Sequence, residues 1–234
     1  EFGILRSIAA PHLSSQLDVR KTGLAERVGP TGEVVGLDRE ARMLSAARSL
    51  AAERRLDNVR LVQGDASATG LPQGSMDLVH TRTLLVNHPD PYGVVGEMVA
   101  LARPGGIVVA QEPDCSTWIC EPGHPSWDRL MTLLQDHYRA QGRDPCIGRR
   151  LREMLRDAGL AGVKANVRAG CVTEPGDWYH TLLPTFSGLL RAQIIAGGLC
   201  EVDELDALIT ELHSHLSEPG TLTMVPLWQA WGRR

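Results

Sequence analysis

Short apolar runs alternate with amphipathic stretches through the first half of the chain. Gly32 to Asp38 (GEVVGLD) is a buried-strand run bounded by Gly-Pro-Thr-Gly. Arg39 to Arg55 carries Met43, Leu44, Ala47, Leu50 and Ala51 at helical spacing, which predicts an amphipathic helix. Asn58 to Gln63 (NVRLVQ) and Met76 to Thr81 (MDLVHT) read as two further strands. Pro91 to Ala102 reads as a helix, and Arg103 to Asp114 as a Gly-Gly turn running into another strand. Strands that alternate with helices build βαβ units and a parallel sheet.

Beyond Asp114 the alternation loosens. Helices are expected over Arg129 to Gln141, Arg149 to Ala158, Trp178 to Ala196 and Glu201 to Leu216. Gly162 to Val172 and Thr221 to Trp231 read as strands. The expectation is one α/β domain over residues 1–234. Its doubly wound sheet is mostly parallel with an antiparallel C-terminal strand, and helical cap inserts fall at about 115–147 and 173–200. Both inserts follow strand ends, where open α/β sheets bind ligands.

Composition narrows the chemistry. The 234 residues carry a net charge of -4, so nothing suggests a nucleic-acid or anionic-membrane surface. No apolar run reaches the 18 or so residues of a membrane span, and the N-terminus has no signal-peptide pattern. Cys115, Cys120, Cys146, Cys171 and Cys200 show no CxxC spacing, so free thiols, a cytoplasmic location and no metal site are expected.

Two acids stand at predicted strand ends. Asp38 is placed either to accept hydrogen bonds from ribose hydroxyls or to cap the following helix. Asp65, followed by the small Ala66, is placed either to accept from an adenine amino group or to cap a turn. Together, at adjoining strand tips, they favour a nucleoside site.

Asp38 after VVGL, GDA at Gly64 to Ala66, LPQGSMDLV at Leu71 to Val79 and LARPGGIVV at Leu101 to Val109 come in one order. In that order they resemble the motifs of class I S-adenosylmethionine-dependent methyltransferases, the small-molecule branch that includes the ubiquinone/menaquinone type. The resemblance covers roughly Ala25 to Glu112 and implies a Rossmann-like fold. It implies S-adenosyl-L-methionine as cofactor, S-adenosyl-L-homocysteine as product, a small-molecule substrate and a monomer or homodimer. Its cofactor residues would be Gly23, Asp38 with Arg39, Met43, Asp65, Ala66 and Thr81, with His80 and Arg82 beside Thr81. Met43 reads equally as helix core. A nicotinamide enzyme shares the acid after the second strand but not GDA or the PGG turn. A methyltransferase-fold protein that binds the cofactor without methylating is the alternative.

The departure lies at LDVRKTGLAERV, Leu17 to Val28. If LDV is the first strand, its loop has one glycine, Gly23, where the family has several. Thr22 to Val28 is also too short for a crossover, which needs a dozen or more residues. Either residues are missing from the sequence near Arg20-Lys21, which the spacing favours, or the cofactor loop is lost.

For chemistry, His88 is a candidate general base, set against a plain loop role. Glu112 and Asp114, at the predicted pocket rim, are candidates for proton acceptance or substrate binding, set against loop capping. His124, His137 and His180 read as surface or packing residues. Trp118, Trp127, Trp178, Tyr179 and Phe186 concentrate the aromatics in the two inserts. They form either an apolar substrate cap, with Asp114, Trp118, Trp178 and Tyr179 toward substrate, or a small helical core.

Overall fold

The computed structural model describes residues 5–9, 24–174 and 177–234. The chain divides into two compact units. The first comprises Glu1–Glu112, Gly148–Asn166 and Trp228–Arg234; the second comprises Pro113–Ile147 and Val167–Leu227.

The first unit holds a seven-stranded sheet. Its strands are β1 (Leu5–Ala9), β2 (Val34–Asp38), β3 (Val59–Gln63), β4 (Met76–Arg82), β5 (Ala102–Pro113), β7 (Ala161–Arg168) and β10 (Leu227–Arg233), in the order β3-β2-β1-β4-β5-β10-β7. The pairs β3/β2, β2/β1, β1/β4 and β4/β5 are parallel. β10 runs the other way beside β5. Arg234 N donates to Gly106 O at 3.0 Å, while Gln111 and Gln229 meet toward the opposite end. The expected parallel sheet with its antiparallel C-terminal strand is therefore present.

The first described strand precedes LDV in the sequence. β1 lies at Leu5–Ala9, between β2 and β4, and residues 10–33 are ample for the crossover to β2. The objection that the connection is too short therefore disappears. The expected LDV strand, the break near Arg20-Lys21 and Gly23 all fall outside the described residues.

Residues 24–28 (α1) are helical and end at Gly29, whose φ of 71° favours a residue without Cβ. Asn58 Nδ2 donates to Ala25 O and Gly29 O, closing that helix end. α2 (Ala41–Glu53) buries Met43, Leu44, Ala47 and Ala51, the face its spacing predicted. α3 (Pro91–Leu101) starts with Pro91 at its first turn and with the Asp90 carboxylate accepting from Gly93 N at 2.8 Å. It buries Val94, Val95, Met98 and Leu101. α5 (Leu151–Asp157) packs against α3.

The PGG turn is a bulge within the β4/β5 pairing, where the register shifts between Met76 and Leu78. A Cβ on Gly106 would lie 2.8 Å from Arg103 O and 3.0 Å from Met76 O, both backbone atoms. Gly106→Ala is expected to cost about 1–3 kcal/mol, the usual range for forced overpacking. A lower urea midpoint would show it.

The second unit has its own core. α4 (Pro125–Ala140), α6 (Leu182–Leu189), α7 (Arg191–Ala196) and α8 (Val202–Leu216) pack together. α4 buries Trp127, Leu130, Leu133 and Leu134, and α8 buries Leu205, Leu212 and Leu216. A small antiparallel sheet, β6 (Ile119–Glu121), β9 (Leu222–Met224) and β8 (Cys171–Val172), completes it.

This sheet corrects two expected elements. Gly162 to Val172 is two strands, β7 and β8, in different sheets, and Thr221 to Trp231 is likewise split into β9 and β10. α8 and β9 lie in the second compact unit, whose later segment is Val167–Leu227.

His180 is fully buried here. Its Nδ1 lies 3.0 Å from Val172 O and its Nε2 2.8 Å from Leu216 O, so it joins β8 to the end of α8. His124 caps α4, its Nδ1 accepting from Ser126 N at 3.2 Å, and His137 is buried on the same helix. All five cysteines are free thiols.

Candidate functional site

Asp38 and Asp65 stand on neighbouring strand tips. Asp38 ends β2 and pairs in register with Gln63, the last residue of β3. Gly64 N then donates to Asp38 O at 3.1 Å, so the chain leaving β3 is tied to the backbone of Asp38. The Asp38 side chain is buried, and its Oδ1 accepts from Glu40 N at 2.9 Å. It does not cap α2, whose N-cap is Glu40. The bond shapes the turn that aims the carboxylate.

Asp65 is half exposed. Its Oδ1 accepts from Ser67 N at 2.8 Å, from Ser67 Oγ at 2.6 Å and from His88 Nε2 at 3.2 Å. The two Ser67 bonds, with help from His88, hold its pKa down to about 2, so it is ionised at neutral pH. Its Oδ2 accepts no bond from the described residues. Ala66 beside it is buried and presents only a methyl group.

Thus a buried acid and an exposed acid with one open oxygen occupy adjoining strand tips, next to a small residue. That donor-seeking arrangement fits a ribose and an adenine amino group.

His88 follows β4 and is 8% exposed. Its Nδ1 lies 3.0 Å from both N and O of Asp90, and its Nε2 faces Asp65. An ionised Asp65 only accepts, so Nε2 carries the proton and Nδ1 accepts from Asp90 N–H. Both nitrogens are engaged.

Glu112, near the end of β5, is fully buried. Its Oε1 accepts from Leu84 N (2.9 Å) and Leu85 N (2.8 Å), and its Oε2 from Val86 N (3.2 Å). Those N–H groups open the short 3-10 turn Leu85–Asn87, which ends at His88. Burial pushes the Glu112 carboxyl up to about 7 against the pull of the three donors.

The other expected residues separate. Thr81 is buried at the end of β4, in register with Ile8 and Ala110, and its Oγ1 has no partner among the described residues. His80 Nε2 meets Gln111 Oε1 at 3.1 Å, and Arg82 is buried. Met43 lies in the buried face of α2. Arg39 is exposed beside Glu40, and its carbonyl accepts from Gln63 Nε2 at 3.0 Å.

Asp114, Trp118, Trp178 and Tyr179 all lie in the second unit. Asp114 is buried and caps the turn Cys115–Thr117, its Oδ1 accepting from Ser116 N and Oγ at 3.1 and 2.7 Å. Trp118 is half-buried, and its Nε1 finds no partner among the described residues. Trp178 and Tyr179 are half-buried in the turn before α6, where Tyr179 N donates to Asp177 Oδ1 at 2.7 Å. Trp127 and Phe186 are buried, one on α4 and one on α6, as a helical core requires.

The sequence reading missed Ser67 as the residue that fixes Asp65. The S in GDAS, two positions after the acid, was the available signal for such a turn.

The methyltransferase domain family matches residues 21–159. The demethylmenaquinone methyltransferase of Geobacillus sp. (strain WCH70) is 42% identical over 96 residues, 41% of each chain. The chain thus spans less than half the length of the curated relatives it matches.

Among solved structures, the YcgJ protein of Bacillus subtilis superposes with a TM-score of 0.57. It is 18% identical, covering 98% of this chain and 92% of that one. A Haemonchus contortus phosphoethanolamine N-methyltransferase 2, solved with S-adenosylhomocysteine, gives a TM-score of 0.55. It is 13% identical, with 99% of this chain and 49% of that one covered. These likenesses show a shared fold. No described helix is long and apolar enough to cross a membrane. With more than half of its length matched, the chain belongs to the methyltransferase domain family.

Proposed function

We propose that this protein transfers a methyl group from S-adenosyl-L-methionine to a small-molecule acceptor, releasing S-adenosyl-L-homocysteine. The observation that carries the reading is the pair of acids on adjoining strand tips, Asp38 buried and Asp65 with one open oxygen. Asp38 would accept from the ribose hydroxyls. Asp65 Oδ2 would accept from the adenine amino group, with Ala66 leaving room for the base. Thr81 offers a buried hydroxyl near the end of β4, two strands across the sheet from β2.

When bound, S-adenosylmethionine supplies a methyl group already activated on a sulfonium. What remains for the protein is to hold and orient the reactants and, for some acceptors, to take a proton. His88 and Glu112 are both committed to protein partners, so we assign them to positioning rather than to proton transfer. Asp114, Trp118, Trp178 and Tyr179 are the candidates for binding the acceptor.

Isothermal titration with S-adenosylhomocysteine, followed by a screen of small acceptors for its release from S-adenosylmethionine, tests this. Binding and turnover are expected. Absence of binding at millimolar ligand would end the reading. Binding without release from any acceptor would favour a protein that uses the cofactor without methylating.

A further inference from the structure

Asp65 and His88 belong to loops that the sheet order keeps apart. Asp65 follows β3 and His88 follows β4, with β2 and β1 lying between those strands. Yet His88 Nε2 reaches Asp65 Oδ1 at 3.2 Å.

The approach is built from behind. Glu112 holds the N–H groups of Leu84, Leu85 and Val86, and His88 N closes the turn on Leu85 O at 3.3 Å. Asp90 N–H then fixes the imidazole through Nδ1. The ring is buried, whereas the carboxylate it holds is half exposed. All three donors to Asp65 (Ser67 N, Ser67 Oγ and His88 Nε2) meet the same oxygen, Oδ1. Oδ2 is left open.

We propose that His88 is a positioning residue for cofactor recognition: through Nε2–H it fixes the Asp65 carboxylate so that Oδ2 receives the adenine amino group. This rests on the methyltransferase reading above. An exposed carboxylate held only by its neighbour Ser67 still swings about its side-chain bonds. A ligand must then arrest that motion, which lowers affinity. The third bond, from a distant and rigid loop, arrests it beforehand. It also draws on a strand pair that Ser67 does not touch, so the adenine end is tied to the β4 side of the sheet.

Calorimetry with two ligands tests it. S-adenosylhomocysteine carries the 6-amino group; its 6-deamino purine analogue does not. His88→Ala is expected to weaken the first by about 2- to 12-fold, the cost of immobilising one side chain on binding. The deamino analogue should change less than about twofold, since it makes no bond to Asp65. His88→Gln, whose amide N–H can reach the same oxygen, should recover most of the affinity.

Equal losses for both ligands in a folded His88→Ala, or no loss for either, would overturn the proposal. Should His88→Ala fail to fold, long-range proton–nitrogen NMR of the unaltered protein decides it. The His88 signals, identified by their absence in His88→Gln, should report the Nε2–H tautomer, and the Nδ1–H tautomer would refute it. If the unaltered protein binds neither ligand, the methyltransferase reading itself fails and this inference fails with it. If it binds both but His88 does not discriminate between them, only the inference fails.

Discussion

Replacing Asp38 by Ala is expected to weaken S-adenosylhomocysteine binding by about 100-fold or more. A buried carboxylate accepting from ligand hydroxyls makes charge-assisted bonds, each contributing about 1.5–3 kcal/mol. Two such bonds would be lost at once. The side chain also accepts from Glu40 N and so sets the turn between β2 and α2. Asp38→Asn separates the two roles. It keeps an oxygen for Glu40 N but offers an amide N–H to the ligand, a donor where an acceptor is needed. Affinity should fall nearly as far in Asp38→Asn as in Asp38→Ala, while its urea midpoint stays close to that of the unaltered protein. Full affinity in a folded Asp38→Ala would remove Asp38 from the site.

That prediction was within reach of the sequence because Asp38 closes a short apolar run. VVGLD is buried at every position, as a strand covered on both faces must be, and nothing distant is needed to see it. The same holds for Met76 to Thr81 and for the apolar stripe of α8. What stayed hidden is what forms only between distant segments. β6, β8 and β9 have two or three residues each, too few to leave a period in the sequence. Their pairing joins residues near 120, 171 and 223.

β1 stayed hidden for a related reason. LRSIA mixes polar with apolar residues and shows no clear period, yet Leu5–Ala9 forms the strand between β2 and β4. In the site, the acids were legible one at a time, but their supports were not. His88 meets Asp65 across 23 positions, and Glu112 meets backbone groups 26 to 28 positions away. A backbone N–H carries no residue identity, so no pattern of residue types announces that contact.

Glu112 yields the largest stability effect. The first N–H groups of a helical turn have no partner within it, and here one carboxylate serves three of them in a fully buried place. Glu112→Leu leaves all three unpaired, at about 1–3 kcal/mol each. A loss of about 3 kcal/mol or more is expected, seen as a lower urea midpoint, and with it weaker S-adenosylhomocysteine binding as the turn that presents His88 loosens.

Glu112→Gln tests the charge. Its carbonyl oxygen can serve Leu84 and Leu85, but its amide N–H₂ then faces Val86 N–H, so about 1–3 kcal/mol is lost where Glu112 is protonated. The folded carboxyl sits near 7 against 4.5 for an ordinary one, because burial penalises the charged form. Its contribution is therefore complete below about pH 4.5 and disappears as the pH rises through 7, a change of about 3 kcal/mol. The glutamine variant has no such titration. The stability gap between the two proteins should be widest near pH 5 and should narrow or reverse by pH 9. A gap that stays constant across that range would mean that the three N–H donors outweigh burial and keep Glu112 ionised throughout.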